Sequence, residues 1–355
     1  MKKVTDYLNR LFIDGLSGMA LGLFSTLIIG TIIQQIGKFI GGDIGTYFIA
    51  CGKIASSLTG AGIGCGVAFK LSNNPLIVIS AATSGMVGAF AASIINGKFL
   101  LESGAVQYLG PGEPLGAFIA AYIGIEIGIL ISGKTKMDIV LVPLLSISAG
   151  ATTGLLLSPH ISQFISKIGL MIEFGTNQRP ILMGIIVAVL MGMLLTLPIS
   201  SAAIALSLGL TGLSAGAATA GCCANMIGFA IASYKENKFG GLLAQGLGTS
   251  MLQISNIYKH PIIWLPAIIS SAILGPLSTT LFKMTNNAVG AGMGTAGLVG
   301  QIMTYETMVA VEEPLIVLIK ILLLHFILPG ILSYSISQFM RKKGFIKSGS
   351  MKLEV

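Results

Sequence analysis

Long apolar runs, each interrupted by a few glycines, prolines or charges, recur from Leu16 to Ser333. Roughly 20 consecutive apolar residues cross a bilayer as a helix. On that rule the pattern predicts spans near 14–36, 44–69, 75–95, 115–132 and 138–158. A second set falls near 180–199, 201–232, 262–282, 288–308 and 314–334. Segments 44–69 and 201–232 are long and glycine-rich, so they are candidates for broken spans. Segment 288–308, AVGAGMGTAGLVGQIMTYETM, is a poor helix and a candidate re-entrant segment.

The two sets share an order. LGLFSTLIIGTII (21–33) has the pattern of MGIIVAVLMGMLL (183–195), and NPLIVISAATSGMVG (74–88) that of HPIIWLPAIISSAILG (260–275). ISQFISKIG (161–169) pairs with ISQFMRKKG (336–344). An odd number of spans per half makes the second half an inverted copy, an arrangement common in transporters. The expected organisation is an interfacial helix over 1–13, a five-span repeat over 14–172, an inverted repeat over 180–340 and a basic cytoplasmic tail over 341–355. The fold class expected is all-α, a polytopic membrane protein of about ten transmembrane helices with re-entrant or broken segments.

Composition agrees with that solvent. The chain is 54% hydrophobic and 10% charged, against about 25% charged for a soluble domain. The apolar run after the basic N-terminus is too long for a signal-peptide core. A net charge of +8 points to cytoplasmic loops of a membrane protein, and not to nucleic acid. The flanks of the two ISQF copies put the C-terminus inside and 160–179 outside, with the N-terminus inside. Lys235, Lys238 and Lys259 then fall on an outside loop, against the positive-inside tendency. Cys51, Cys65, Cys222 and Cys223 lie in apolar runs and read as buried inert thiols. His160, His260 and His325 are scattered without metal-ligand spacing. No nucleophile–base constellation or phosphate-binding glycine loop is legible, and GAGMGTAG (290–297) lacks the βαβ context of a dinucleotide site. The chain is not expected to be an enzyme, and no cofactor is expected.

Charges inside a membrane are costly and mark candidate sites. Glu113 leads, in YLGPGEPLGAF (108–118). Pro111 and Pro114 deny a continuous helix, and Gly110 and Gly112 let backbone approach a solute. The bland alternative is a tight surface turn, with Glu102 as a further loop charge. Glu312 and Glu313 precede Pro314 at the start of a span, where a helix N-terminus favours carboxylates in any case. Glu126, Lys320, His325 and Lys53 sit within spans and read as buried ion pairs or as a polar cavity face. Asn225 adds an amide to the small-residue run 212–228, and Gln245, Gln253 and Asn256 either bind a polar solute or line an interfacial helix.

GPGEP and EEPLIVL carry a resemblance. A Gly-x-x-Glu-Pro pattern ahead of an apolar run resembles the sugar-binding motif of phosphotransferase-system IIC permeases. Length, span number and paired halves look like the compact IIC-like branch that includes perfringolysin-regulator-like membrane proteins. The resemblance implies a motif glutamate that hydrogen-bonds sugar hydroxyls, which would be Glu113 or Glu313, and a histidine from another segment, for which His260 is the candidate. Both copies lack the Ile-Thr usual before the glutamate. It also implies a homodimer in membrane lipid with a scaffold half and a moving transport part, and phosphoryl transfer on separate IIA and IIB chains. The function expected is transport of a small polar solute, a sugar, sugar-like compound or organic acid, at a bacterial-type plasma membrane. The alternative is a membrane sensor that controls gene expression through a partner, motivated by the resemblance to regulator-like proteins and by the basic tail, which otherwise reads as a topology signal with a short disordered end.

Overall fold

The computed structural model describes residues 7–353 apart from Asn73, Glu102 and Leu109. Among these residues the chain is helical, with only two isolated β-bridges. It divides into two compact units, Met1–Ile165 and Ser166–Val355.

In unit 1, α1 (Tyr7–Ile40) is one helix of 34 residues. Residues 7–13 are therefore its first turns and not a separate interfacial helix; Met1–Asp6 lie outside the described residues. Gly41, at φ +67°, turns the chain into α2 (Gly42–Ser57), which meets α3 (Thr59–Leu71) at a bend of 53°. The expected break in 44–69 is here. α4 (Pro75–Ile95) and α5 (Pro114–Ile131) follow, and α6 (Asp138–Thr176) begins in unit 1 and ends in unit 2. Small residues let these helices touch by backbone, as membrane interfaces favour. A Cβ on Gly22 would overlap Gly62 of α3, and one on Gly88 would overlap Gly116 of α5.

In unit 2, α7 (Pro180–Thr196) is followed by the short α8 (Ser201–Ser207) and by α9 (Gly212–Ala232). α9 is the centre of the unit: sixteen of its 21 residues are buried, and α7, α12 and α15 all pack on it. After α10 (Tyr234–Leu243) and α11 (Ile254–Lys259) comes the span α12 (Pro261–Leu281). α13 (Ala288–Ala291) and α14 (Val299–Met308) make up the poor helix, and α15 (Pro314–Lys342) closes the bundle.

Among the described residues seven helices are long and apolar enough to cross a membrane, and the bent pair α2–α3 makes up to an eighth. α7, with 17 residues, is a shorter apolar helix. The remaining segment, 288–308, holds no helix long enough to count as a span among the described residues. Asn286, before α13, donates to Thr304 Oγ1 in α14 at 2.9 Å, so the segment enters and leaves at one level. The turn between is made by Gly294, Gly297 and Leu298, all at positive φ. Glycine adopts that region freely, whereas Leu298 is strained in it.

This hairpin changes the topology. Asn237 Nδ2 donates to Met351 O at 2.8 Å and Gln253 Nε2 to the same oxygen at 2.9 Å. Asn256 Nδ2 donates to Lys352 O at 2.9 Å, and Arg341 pairs with Glu236 at 2.9 Å. Residues 234–259 and the C-terminal tail thus lie on one side of unit 2. The expectation that Lys235, Lys238 and Lys259 face the opposite side from the tail is overturned, because only α12 and α15 cross between the two stretches. The tail is not a free end either. Ile346 and Met351 are buried, and the tail's backbone is read by three side-chain amides.

The cysteines divide. Cys222 and Cys223 are buried as expected, Cys65 is half-buried, and Cys51 is exposed on α2, which packs chiefly on α1 alone. Of the charged residues within spans, Glu126 pairs with Arg10 at 3.2 Å and Lys320 with Glu312 at 2.6 Å, whereas Lys53 is exposed on α2 and not buried. Lys320 also donates to Phe282 O at 2.9 Å.

Candidate functional site

Two places combine broken backbone with polar groups. The first is in unit 1. After α4 the chain turns at Asn96 and Gly97 and returns through a bridge between Leu100 and Val106. Phe99 and Tyr108 pack against Phe90 of α4 and each other in tilted and edge-on contacts, with ring centroids 5.3–5.8 Å apart. The return leg brings Glu113 N–H to Ala89 O at 2.8 Å. Ala89 is six residues before the end of α4, about 9 Å inside that end at 1.5 Å per residue. Glu113 therefore lies within the length of a span, half-buried, and α5 starts there. Its Oε1 accepts from Leu115 N at 3.4 Å, so it caps α5, with Pro114 in the first helical position. Gly110 and Gly112 are at φ +75° and +74°. A Cβ at Gly112 would overlap Ala89, whereas Gly110 faces open space.

The second place is the hairpin of unit 2. Gly294 at its tip packs against Cys222, the central residue of α9. Thr295 Oγ1 donates to Gly246 O. Asn286 Nδ2 donates to Thr219 Oγ1 at 2.8 Å and Gly300 O at 3.1 Å as well as to Thr304. From α14, Gln301 Nε2 reaches Cys223 Sγ at 3.4 Å and His325 Nδ1 at 3.3 Å. His325 is fully buried in a π-helical turn of α15, and π turns recur at functional sites. Two atoms of this group, His325 Nε2 and Gln301 Oε1, have no hydrogen-bond partner among the described residues.

The remaining expected residues do not join that group. Asn225 is fully buried and saturated: it accepts from Trp264 Nε1 at 2.9 Å and Thr196 Oγ1 at 3.3 Å, and donates to Gly221 O and Ser271 Oγ. Gln253 and Asn256 hold the tail, and Gln245 supports them by accepting from Gln253 at 2.8 Å. His260 is exposed at the turn into α12, and Glu313 is exposed at the start of α15. Asn286, Thr219 and Gln301 were not singled out from sequence. The signal available was the glycine-rich break of 288–308; nothing local marks the partners that reach it from α9 and α15.

Helical bundles with buried broken segments define a class of polytopic membrane transport protein. The family described as Phosphotransferase system, EIIC matches residues 13–353. The chain belongs to that family, whose domain is the membrane transport component of a phosphotransferase system. It is a permease-type, multi-pass protein of the plasma membrane. No curated protein matches the chain.

Proposed function

We propose that this permease carries a small polar solute, a sugar, sugar-like compound or organic acid, and that the hairpin of unit 2 contributes to its binding. The observation that carries the reading is the hairpin's depth, with Gly294 beside the middle residue of α9. Irregular backbone at membrane depth is tolerated where protein or a cavity surrounds it, and such breaks serve as solute sites. His325 Nε2 and Gln301 Oε1 offer hydrogen-bonding capacity that the described residues leave unused. In unit 1, Glu113 is proposed as a carboxylate that accepts from solute hydroxyls, with Gly110 and Gly112 allowing close backbone approach. Glu313 is the second candidate for that role. Asn225, Gln253 and Asn256 are better explained as internal glue, since the protein fills their hydrogen bonds.

The side bearing Lys235, Lys238, Lys259, Lys342 and Lys343 is proposed to be cytoplasmic, by the positive-inside tendency. Separate IIA and IIB chains would supply any phosphoryl transfer, and the permease would work as a homodimer built from inverted repeats. In each unit the first span packs on the broken element that follows, and that element on the next span (α1–α3–α4 and α7–α9–α12), which supports the repeat. A membrane sensor remains the alternative reading; the basic tail that partly motivates it is docked on Asn237, Gln253 and Asn256.

Uptake into proteoliposomes, screened over sugars and organic acids with and without IIA and IIB chains, tests the reading. A saturable solute whose uptake falls at least tenfold in Gln301→Ala and His325→Ala is expected. Folded protein that takes up no member of the panel under either condition counts against it, as does full uptake by both variants.

A further inference from the structure

Lys320 touches both ends of the hairpin segment at once. Its ammonium donates to Phe282 O at 2.9 Å and to Glu312 Oε1 and Oε2 at 2.7 and 2.6 Å. Those three bonds use all three of its donors. Phe282 follows α12, ahead of Asn286, and Glu312 follows α14. Phe282 caps the last turn of α12, so its carbonyl is one of those that a helix end leaves open, and a cation is favoured there. Lys283, the next residue, is held at φ +46°, a backbone strained for any residue with a Cβ. Such strain persists only where the surroundings enforce it. Around Lys320, Val317 and Ile321 of α15 share a buried cluster with Met284 from the leading leg and Met308 from the trailing leg.

We propose that Lys320 is the positioning residue of the hairpin. By tying both legs to one atom of α15, it fixes how far the hairpin sits along that helix. His325 lies five residues further along α15, roughly 7 Å at 1.5 Å per residue. The same tie therefore sets the meeting of Gln301 with His325 Nδ1 at 3.3 Å, and with it the placing of His325 Nε2 and Gln301 Oε1. An ordinary ion pair would need Glu312 alone; the bond to Phe282 O is what brings in the second leg. The effect of Lys320 on solute rests on the hairpin being a solute site, whereas its effect on hairpin position does not.

The test follows position and transport separately, with the full-length protein in proteoliposomes. Cys222 and Cys223 are fully buried against the hairpin, and Cys51 is exposed. Alkylation by N-ethylmaleimide is read by peptide mass spectrometry, with Cys51 as internal standard. Lys320→Met keeps the apolar stem and is expected to speed labelling of Cys222 and Cys223 at least tenfold. For each sugar or organic acid that the wild type takes up, it should raise KM at least fivefold and change Vmax less. Lys320→Arg, which keeps charge and donors, should label within about threefold of wild type. Lys320→Met/Glu312→Gln also removes the stranded carboxylate and is expected to label as fast as Lys320→Met; where Lys320→Met fails to fold, the double variant carries the test. Wild-type thiol protection in the double variant overturns the proposal, since that marks the cost of a lone charge and not a tie between two legs. Labelling of Lys320→Arg as fast as that of Lys320→Met overturns it too. Fast labelling with unchanged KM supports the positioning role and removes the hairpin's role in solute binding. Slow labelling with uptake lost in Gln301→Ala removes the positioning role alone.

Discussion

Glu113 and Glu313 stand in the same local setting: each precedes a proline that starts a helix. Their fates differ. Glu113 is half-buried, its N–H is bound by Ala89 from a neighbouring helix, and its carboxylate caps its own helix. Glu313 is exposed and makes no side-chain cap, while its neighbour Glu312 takes the ion pair with Lys320. A Glu-Pro pair specifies a helix start and nothing about depth. Depth is set by what the preceding segment does: the stretch before Glu113 folds back along α4, and the one before Glu313 leaves α14 at its end.

The strongest way to break this comparison is at Gly112. Alanine there takes on a left-handed backbone, about 1–2 kcal/mol, and drives a Cβ into Ala89, about 1–3 kcal/mol more. Gly112→Ala should lower the thermal midpoint by many degrees and pull Glu113 away from α4. Retained wild-type stability would show that the loop is not seated as described.

Next comes Glu113→Gln. A hydrogen bond to a charged group is worth about 1.5–3 kcal/mol, so solute affinity should fall by roughly ten- to a hundredfold with folding intact, whereas Glu313→Gln should bind normally. Reversed outcomes in a binding assay would transfer the role to Glu313.

Glu312→Gln leaves Lys320, only 20% exposed, without its carboxylate. Removing one partner of a buried pair is costly, and partial solvent screening reduces that to about 1–2 kcal/mol. Chemical or thermal denaturation measures it. Gly110→Ala, at a similar φ but facing open space, should cost about 1 kcal/mol from backbone strain alone. Its gap from Gly112→Ala isolates the contact with Ala89. Glu313→Ala should change stability by less than about 0.5 kcal/mol, as is usual for an exposed side chain.

Much of this molecule was legible in its sequence. A bilayer imposes the same demand on every segment, so hydropathy located each apolar element, and glycine-rich runs marked the breaks at α2–α3 and at 288–308. The start signal at Pro314 also reads correctly, because proline in a first turn acts on its own few neighbours; Pro114, which reads as a helix breaker, opens α5 in the same way. The N-terminal helix boundary does not read correctly, since a basic amphipathic opening looks the same whether it lies on the membrane or continues into it.

Tertiary structure decided the rest. Amides at 237, 253 and 256 show no local preference between a solute and a peptide carbonyl; they face the tail because α15 returns it to them. That Lys235, Lys238 and Lys259 share a side with the tail follows from the hydrogen bonds that join their stretch to Met351 and Lys352. The isolation of His325 Nε2 and Gln301 Oε1 is likewise a property of three helices at once. Transfer from water to lipid is summed residue by residue along the chain, so the sequence determines it alone. A hydrogen bond needs both partners in place, and the partners here are separated by as many as 116 positions.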